Sequence, residues 1–98
     1  MAEITTRNYL KYSLVGATGD SSAINFQDFE LNQYALCQVE ITGTCTIVVQ
    51  GRIDSAFGWV DLYTFTADGA QQVAKFPQMR FSVTTLAGSD TVVAALVG

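Results

Sequence analysis

The stretch that decides the fold runs from Leu36 to Ile53 and reads LCQVEITGTCTIVVQGRI. Apolar and polar residues alternate with period two in its first half, which is typical of a strand with one buried face, and its second half is rich in Ile and Val. The turn Thr42-Gly43-Thr44 separates the halves. The pattern predicts a β-hairpin in which Ile41 faces Cys45, Val39 faces Ile47 and Cys37 faces Val49. Because that register gathers these apolar side chains on one face, a second sheet is expected to cover them.

Six further segments have the alternation and length of strands, and turns rich in Gly, Asp, Ser and Asn separate them. They are residues 8–15, 23–29, 59–66, 71–76, 79–86 and 91–97. No segment has a helical period. With the two hairpin arms the total is eight strands, and we predict an all-β fold, an eight-stranded antiparallel β-sandwich that is jelly-roll-like.

The chain length of 98 residues leaves room for a single hydrophobic core. Residues 8–98 are expected to form one β-sandwich domain. Residues 1–7 are polar and carry no clear pattern, so we expect them to form an N-terminal arm that lies on a neighbouring subunit.

The surface is expected to be poor in charge, because only 14% of the residues are charged while 49% are hydrophobic. An ordinary globular domain carries roughly 25% charged residues. This composition favours a homo-oligomer or an assembly subunit whose surface is partly covered by neighbours. The alternative is a monomer whose surface is rich in Thr, Ser, Gln and Asn.

The charge pattern argues against nucleic acid as a partner, since the net charge is -4 and the five basic residues are scattered. No apolar run approaches the roughly 20 residues that span a bilayer, so no membrane partner is expected. The chain begins without a basic segment followed by an apolar one, so we expect synthesis in the cytoplasm without a signal peptide.

No cofactor or metal is expected. Cys37 and Cys45 lie four positions apart in the predicted hairpin register, beyond the roughly 7 Å that a disulfide spans, and are interpreted as free, buried thiols. Two thiolates without His do not complete a metal site. Asp28, Glu30 and Asn32 make a calcium site conceivable, but they lack the spacing of the helical calcium loop, and solvated loop charges are favoured.

The chain is not expected to be an enzyme. It has no His, and its aspartates lie mostly in turns, where they hydrogen-bond nearby backbone. Three aromatic residues, Phe57, Trp59 and Tyr63, offer a stacking platform for a sugar, although packing explains such residues more often.

The second half of the chain has a suggestive order of features: VQGRID at 49–54, Gly58-Trp59, Leu62, TFT at 64–66, Gly69, Pro77, Arg80 with Phe81 and Val83, and Gly88 before a valine-rich last strand. From Ile47 onward this order resembles small structural proteins of tailed bacteriophage virions. The resemblance implies a capsid decoration, or cement, subunit of the virion, made in the host cytoplasm. Such subunits are commonly trimers that clamp the major capsid protein by binding, without catalysis.

Two other functions stay open at this stage. Tail, neck and fibre-attachment subunits of phages use similar sandwiches, and a carbohydrate-binding module would use the aromatic platform.

Apolar residues on outward strand positions are the candidates for contact with a partner: Val48, Val60, Leu62, Val93 and Val97. We predict that the arm, Trp59 and the last strand bind partners, which are other copies of the chain and the major capsid protein or other virion proteins. The predicted partner-binding residues are Met1, Ala2, Glu3, Ile4, Thr5, Thr6, Arg7, Trp59, Val93 and Val97.

Overall fold

The computed structural model describes residues 2–6, 8–26 and 34–98, with the Ala2 side chain left out. These residues form ten strands and no helix. The strands are β1 (Ala2–Thr5), β2 (Tyr9–Val15), β3 (Gly19–Asp20), β4 (Ile24–Asn25), β5 (Tyr34–Thr42), β6 (Cys45–Arg52), β7 (Val60–Phe65), β8 (Gly69–Ala74), β9 (Gln78–Leu86) and β10 (Thr91–Val97). The all-β prediction is confirmed, whereas the count of eight strands is wrong. The additional strands, β1 and β3, have four and two residues, too few for a clear alternation.

Two antiparallel sheets enclose one hydrophobic core in a sandwich-like arrangement. The first sheet has the order β1-β2-β10-β5-β8, and the second has the order β3-β9-β6-β7 with β4 also paired to β9. The core is apolar because each inner strand sends alternate residues between the sheets. In β9, Met79, Phe81 and Val83 are buried as predicted.

The predicted hairpin between β5 and β6 is wrong, because the two strands lie in different sheets. β5 pairs with β10 and β8, while β6 pairs with β9 and β7. The residues predicted to share one buried face are indeed inward, but they meet across the core and not side by side. Period-two alternation reports which side chains are buried and carries no information on the neighbouring strand.

The pairings that replace this hairpin are nested. β6 pairs with β7, β5 with β8, β3 and β4 with β9, and β2 with β10. As a result β10 lies at the centre of the first sheet, between β2 and β5.

Asp90 joins turns at one end of the two sheets. Its Oδ2 accepts a hydrogen bond from the Thr44 backbone N–H at 3.0 Å, and its carbonyl accepts one from the Gly16 N–H at 2.9 Å. Gly43 lies against the same carboxylate with a φ of 90°, and a Cβ at this position would collide with Asp90. Only glycine therefore fits the turn that carries the chain from β5 to β6.

The described part of the predicted arm belongs to the domain. β1 pairs with β2 along the edge of the first sheet, with Ile4 opposite Lys11. The Glu3 carboxylate also accepts a hydrogen bond from the Ser22 backbone N–H at 2.9 Å. These described residues thus form an edge of the first sheet within their own chain. Met1 and Arg7 lie outside the described residues.

Asp90→Ala is expected to lower the free energy of unfolding by about 1 kcal/mol, because the Thr44 N–H loses a charged acceptor. Urea unfolding followed by Trp59 fluorescence measures this change. Ser89→Ala, at the neighbouring exposed position, serves as the control and should leave the midpoint nearly unchanged. Equal midpoints for the two variants would contradict the role of Asp90.

Cys37 and Cys45 are both free and buried, which confirms their predicted burial, although they lie in opposite sheets. Burial raises the pKa of Cys37 from 9.0 to about 12. Burial, followed by the nearby Asp90 charge, also raises the pKa of Cys45.

The Cys37 thiol is expected to make stability pH-dependent in alkali. Above the unfolded-state pKa of 9.0 the unfolded chain loses this proton while the folded chain keeps it to about 12. The stabilising contribution is therefore complete below pH 9 and is lost as the pH rises toward 12. Urea unfolding at several pH values above 8.5 should show a steeper decline for the native protein than for Cys37→Val. Parallel declines would refute this linkage.

Candidate assembly surface

The outer side of the first sheet is built around β10. Val92, Ala94 and Leu96 of this strand are buried in the core, so the intervening residues point away from it. Val93 and Val97 accordingly face outward and are 38% and 42% exposed.

The neighbouring strands add apolar side chains to the same side. Leu36 and Tyr9 lie opposite Val97 on either side of β10, and Ile4 lies opposite Lys11. We call the large exposed members of this surface the face patch: Ile4, Val15, Tyr34, Leu36, Val93 and Val97. A shallow depression within it is lined by Tyr9, Leu36, Gln38, Ala95, Leu96 and Val97.

The face patch carries few charges. Lys11 on β2 and Glu40 on β5 are exposed on either side of β10, where they lie opposite Ala95 and Val93 respectively. Between them the central strand presents small or β-branched side chains, which allow another surface to approach closely.

The outer side of the second sheet is different because its polar groups bond to one another. Arg80 donates from Nε to Gln50 Oε1 at 2.8 Å, and Gln50 donates to Asp61 Oδ1 at 2.8 Å. Asp20 accepts from Ser82 Oγ at 2.6 Å and forms an ion pair with Arg80 at 3.4 Å. This network occupies the charged groups of the sheet centre with intramolecular partners.

Trp59 lies beside this network and is half-buried. The guanidinium carbons of Arg52 and Arg80 lie 4.1 Å and 4.5 Å from its ring centroid. Arg52 also donates from Nε to Gln78 Oε1 at 2.7 Å. The two cations hold the indole against the outer side of the second sheet.

A second group of exposed apolar residues lies at the edge strand β7 and the loop before it. We call it the edge patch: Ile53, Phe57, Val60 and Tyr63. Val60 lies opposite Gly51, and Tyr63 lies opposite the buried Val49. The Tyr63 ring packs edge-on against Phe65, a core residue, with centroids 4.8 Å apart. Val60 and Tyr63 therefore lie on the core side of the edge strand.

The structure brings three of the predicted partner-binding residues together, since Ile4, Val93 and Val97 all belong to the face patch. It places Trp59 on the other sheet. Glu3 bonds to the Ser22 backbone, while Thr5 lies opposite the core residue Leu10 on β2. The Thr6 N–H donates to the Tyr9 carbonyl at 2.8 Å.

Three members of the face patch were not among the predicted partner-binding residues: Val15, Tyr34 and Leu36. The outward position of Leu36 was available from its alternation with Cys37 and Val39, but its place beside Val97 required the strand order. Among the other candidates, Val48 is buried and Leu62 packs against the core, so neither is an exposed contact.

Two of the three aromatic residues considered as a sugar platform face different sides of the second sheet. Trp59 stacks on Arg80, which points outward between the buried residues Met79 and Phe81. Tyr63 packs on Phe65 at the core side of β7.

Several of the described carboxylates accept hydrogen bonds from backbone or side-chain donors. Asp54 accepts from the Ala56 N–H at 2.8 Å, and Asp68 accepts from the Ile41 N–H at 2.7 Å. Among residues 2–6, 8–26 and 34–98, no three Cys, Asp or Glu side chains gather as metal ligands. The conceivable calcium ligands Asp28, Glu30 and Asn32 lie outside the described residues.

One buried hydroxyl stands apart from these networks. Tyr12 is 1% exposed, and its hydroxyl has no hydrogen-bond partner among the described residues. Burial, followed by the charges of Asp20 and Glu3, raises its pKa. The phenol is thus held in its neutral form inside the core.

No family model matches this chain, and no curated protein or solved structure matches it either. The resemblance to phage virion proteins therefore rests on the order of residues from Ile47 onward. The described residues contain no helix with the length and hydropathy that a membrane crossing requires.

Trp59→Ala is expected to lower the free energy of unfolding by about 1–2 kcal/mol, because two cation–π contacts are lost. Urea unfolding followed by far-UV circular dichroism measures the change. Ser55→Ala, at an exposed position in the loop before Trp59, is the control and should change the free energy of unfolding by less than about 0.5 kcal/mol. A Trp59→Ala protein as stable as the native one would show that the indole does not anchor this surface.

Proposed function

We propose that this protein is a non-enzymatic structural subunit of a virion. In this proposal it is a capsid decoration, or cement, protein that binds and stabilises the shell of the major capsid protein as a homotrimer. The observation that carries the proposal is the face patch, an apolar surface on the outer side of a sheet that the described residues leave exposed.

The size of the face patch supports an assembly role. Its six large residues are 38–63% exposed. Side chains of this kind each offer on the order of 100 Å² of surface in that state, so the patch offers roughly 600 Å². The largest apolar patch on an ordinary monomer is roughly 300–600 Å², and a standard interface buries about 800 Å² on each partner. The face patch thus lies at the upper end of the range for ordinary monomers, where such patches are often functional.

The strand order supports the finer proposal of a jelly-roll-like fold. If β1 is set aside and β3 and β4 are counted as one interrupted strand, eight strands remain. Their pairings are nested, with the first strand beside the last and the second beside the one before the last. These nested pairings support the proposal of a jelly-roll-like fold, an architecture that viral capsid proteins use.

A shell of repeated sites would turn modest contacts into firm attachment, because an oligomer engages several sites at once. The decoration role therefore needs no large interface from each copy. It also needs no catalytic group, in keeping with the structural use of Asp54, Asp68 and Asp90.

Val93→Glu is expected to reduce self-association and co-sedimentation with capsids, because it places a charge at the centre of the face patch. Thr64→Glu is the matched control, since Thr64 is an exposed strand residue on the outer side of the second sheet. Native mass spectrometry gives the oligomeric state, and sedimentation with purified capsids that lack the protein gives shell binding.

The native protein should be a trimer that co-sediments with the capsids, as should Thr64→Glu. A ring of six or more copies would favour a tail or neck connector instead. A native monomer that does not bind capsids would refute the proposal, and loss of glycan binding in Trp59→Ala with an unchanged mass would favour a carbohydrate-binding module.

A further inference from the structure

We propose that copies of this chain associate head to tail, with the face patch of one copy packed against the edge patch of the next. This inference deepens the proposed function and rests on its self-association. It assigns a second contact surface and identifies the partner of the face patch as another copy of the same chain.

The distribution of exposed apolar side chains favours a contact between two different patches. All ten large hydrophobic residues that are exposed among the described ones fall into the two patches, six in the face patch and four in the edge patch. A two-fold symmetric contact uses the same patch on both partners. Such a contact through the face patch would leave the edge patch in water, whereas a head-to-tail contact covers both.

The positions of the two patches on the two sheets also favour a contact between different copies. The face patch lies on the outer side of the first sheet, and the edge patch lies on the edge strand of the second. Val60 and Tyr63 lie opposite Gly51 and Val49, on the core side of that edge. A chain cannot fold the outer face of its first sheet onto its own edge patch. A second copy can, and contact between two different patches is the definition of a heterologous interface.

The exposed areas of the two patches are compatible with such a contact. The four edge residues are 41–58% exposed and together offer roughly 400 Å² on the same basis as the face patch. A standard interface buries about 800 Å² per partner, of which a little over half is apolar, or roughly 450 Å². Both patches are therefore of the size that one stable joint requires.

The charged residues beside the two patches are also compatible with such a contact. The face patch carries Lys11 and Glu40, one charge of each sign on either side of β10. The edge patch is flanked by Asp54 and Arg52, again one of each sign. Arg52 already stacks on Trp59 and Asp54 accepts the Ala56 N–H, so both charges are held in place beside the patch. The two surfaces are thus able to pair opposite charges at their rims.

The test uses one variant for each patch in the full chain. Leu36→Glu alters the face patch and Phe57→Glu alters the edge patch; both residues are more than half exposed, so the fold should tolerate the change. Each variant alone should be a monomer, with association weakened roughly tenfold to hundredfold. Thr64→Glu, outside both patches, should keep the native mass.

A mixture of the two variants provides the decisive measurement. The Leu36→Glu protein keeps an intact edge patch and the Phe57→Glu protein keeps an intact face patch, so a mixture should form a dimer of one copy of each and nothing larger. Native mass spectrometry distinguishes the two masses. Circular dichroism and urea midpoints verify folding, and Val97→Glu with Val60→Glu is the replacement pair if a first variant is unfolded.

Three outcomes would overturn the inference: a native mass for Phe57→Glu, a mixture that stays monomeric, or a native protein that is itself a monomer. The first two leave the proposed function standing, since the protein still self-associates. A native monomer that co-sediments with capsids would remove the self-contact and retain the decoration role. A native monomer that does not bind capsids would remove both.

Discussion

The burial of the β5 and β6 inner faces against each other across the core is the interaction on which the rest of the fold depends. Consecutive strands that lie in opposite sheets cannot pair with each other, so each must find partners elsewhere in the chain. β7 turns back beside β6, β8 beside β5, and β10 finally enters between β2 and β5. The left-handed glycine Gly43, held beside Asp90, makes this crossing possible within a short turn.

The same nesting explains why the two outer surfaces differ. Placing β10 in the middle of the first sheet puts Val97 between Leu36 and Tyr9, and Val93 between Glu40 and Ser13, so the outer face exposes several apolar side chains. In the second sheet, β6 lies between β9 and β7, and their outward residues include Gln50, Arg80 and Asp61, which bond to one another. The polar groups of one face are therefore bonded within the chain, while the other face exposes apolar side chains.

Much of the fold was predictable from the sequence because strand alternation is a local property. The buried positions of Met79, Phe81 and Val83, and the burial of both cysteines, followed from period two alone. The short strands β1 and β3 were not predicted because two to four residues are too few to establish a period. Of the face patch, the outward direction of Val93 and Val97 was predictable, but the participation of Tyr34 and Val15 was not.

The sequence by itself determined where most strands lie and which of their side chains turn toward the core, since both depend on neighbours two residues apart. Only the tertiary structure decided which strand lies beside which, because pairing depends on contacts between residues far apart in the chain. That decision gathered Ile4, Leu36 and Val97 into one patch and separated them from Trp59 on the opposite sheet. An alternating pattern is satisfied equally by a hairpin and by two strands facing each other, and only the competition among all the strands for partners selects between them.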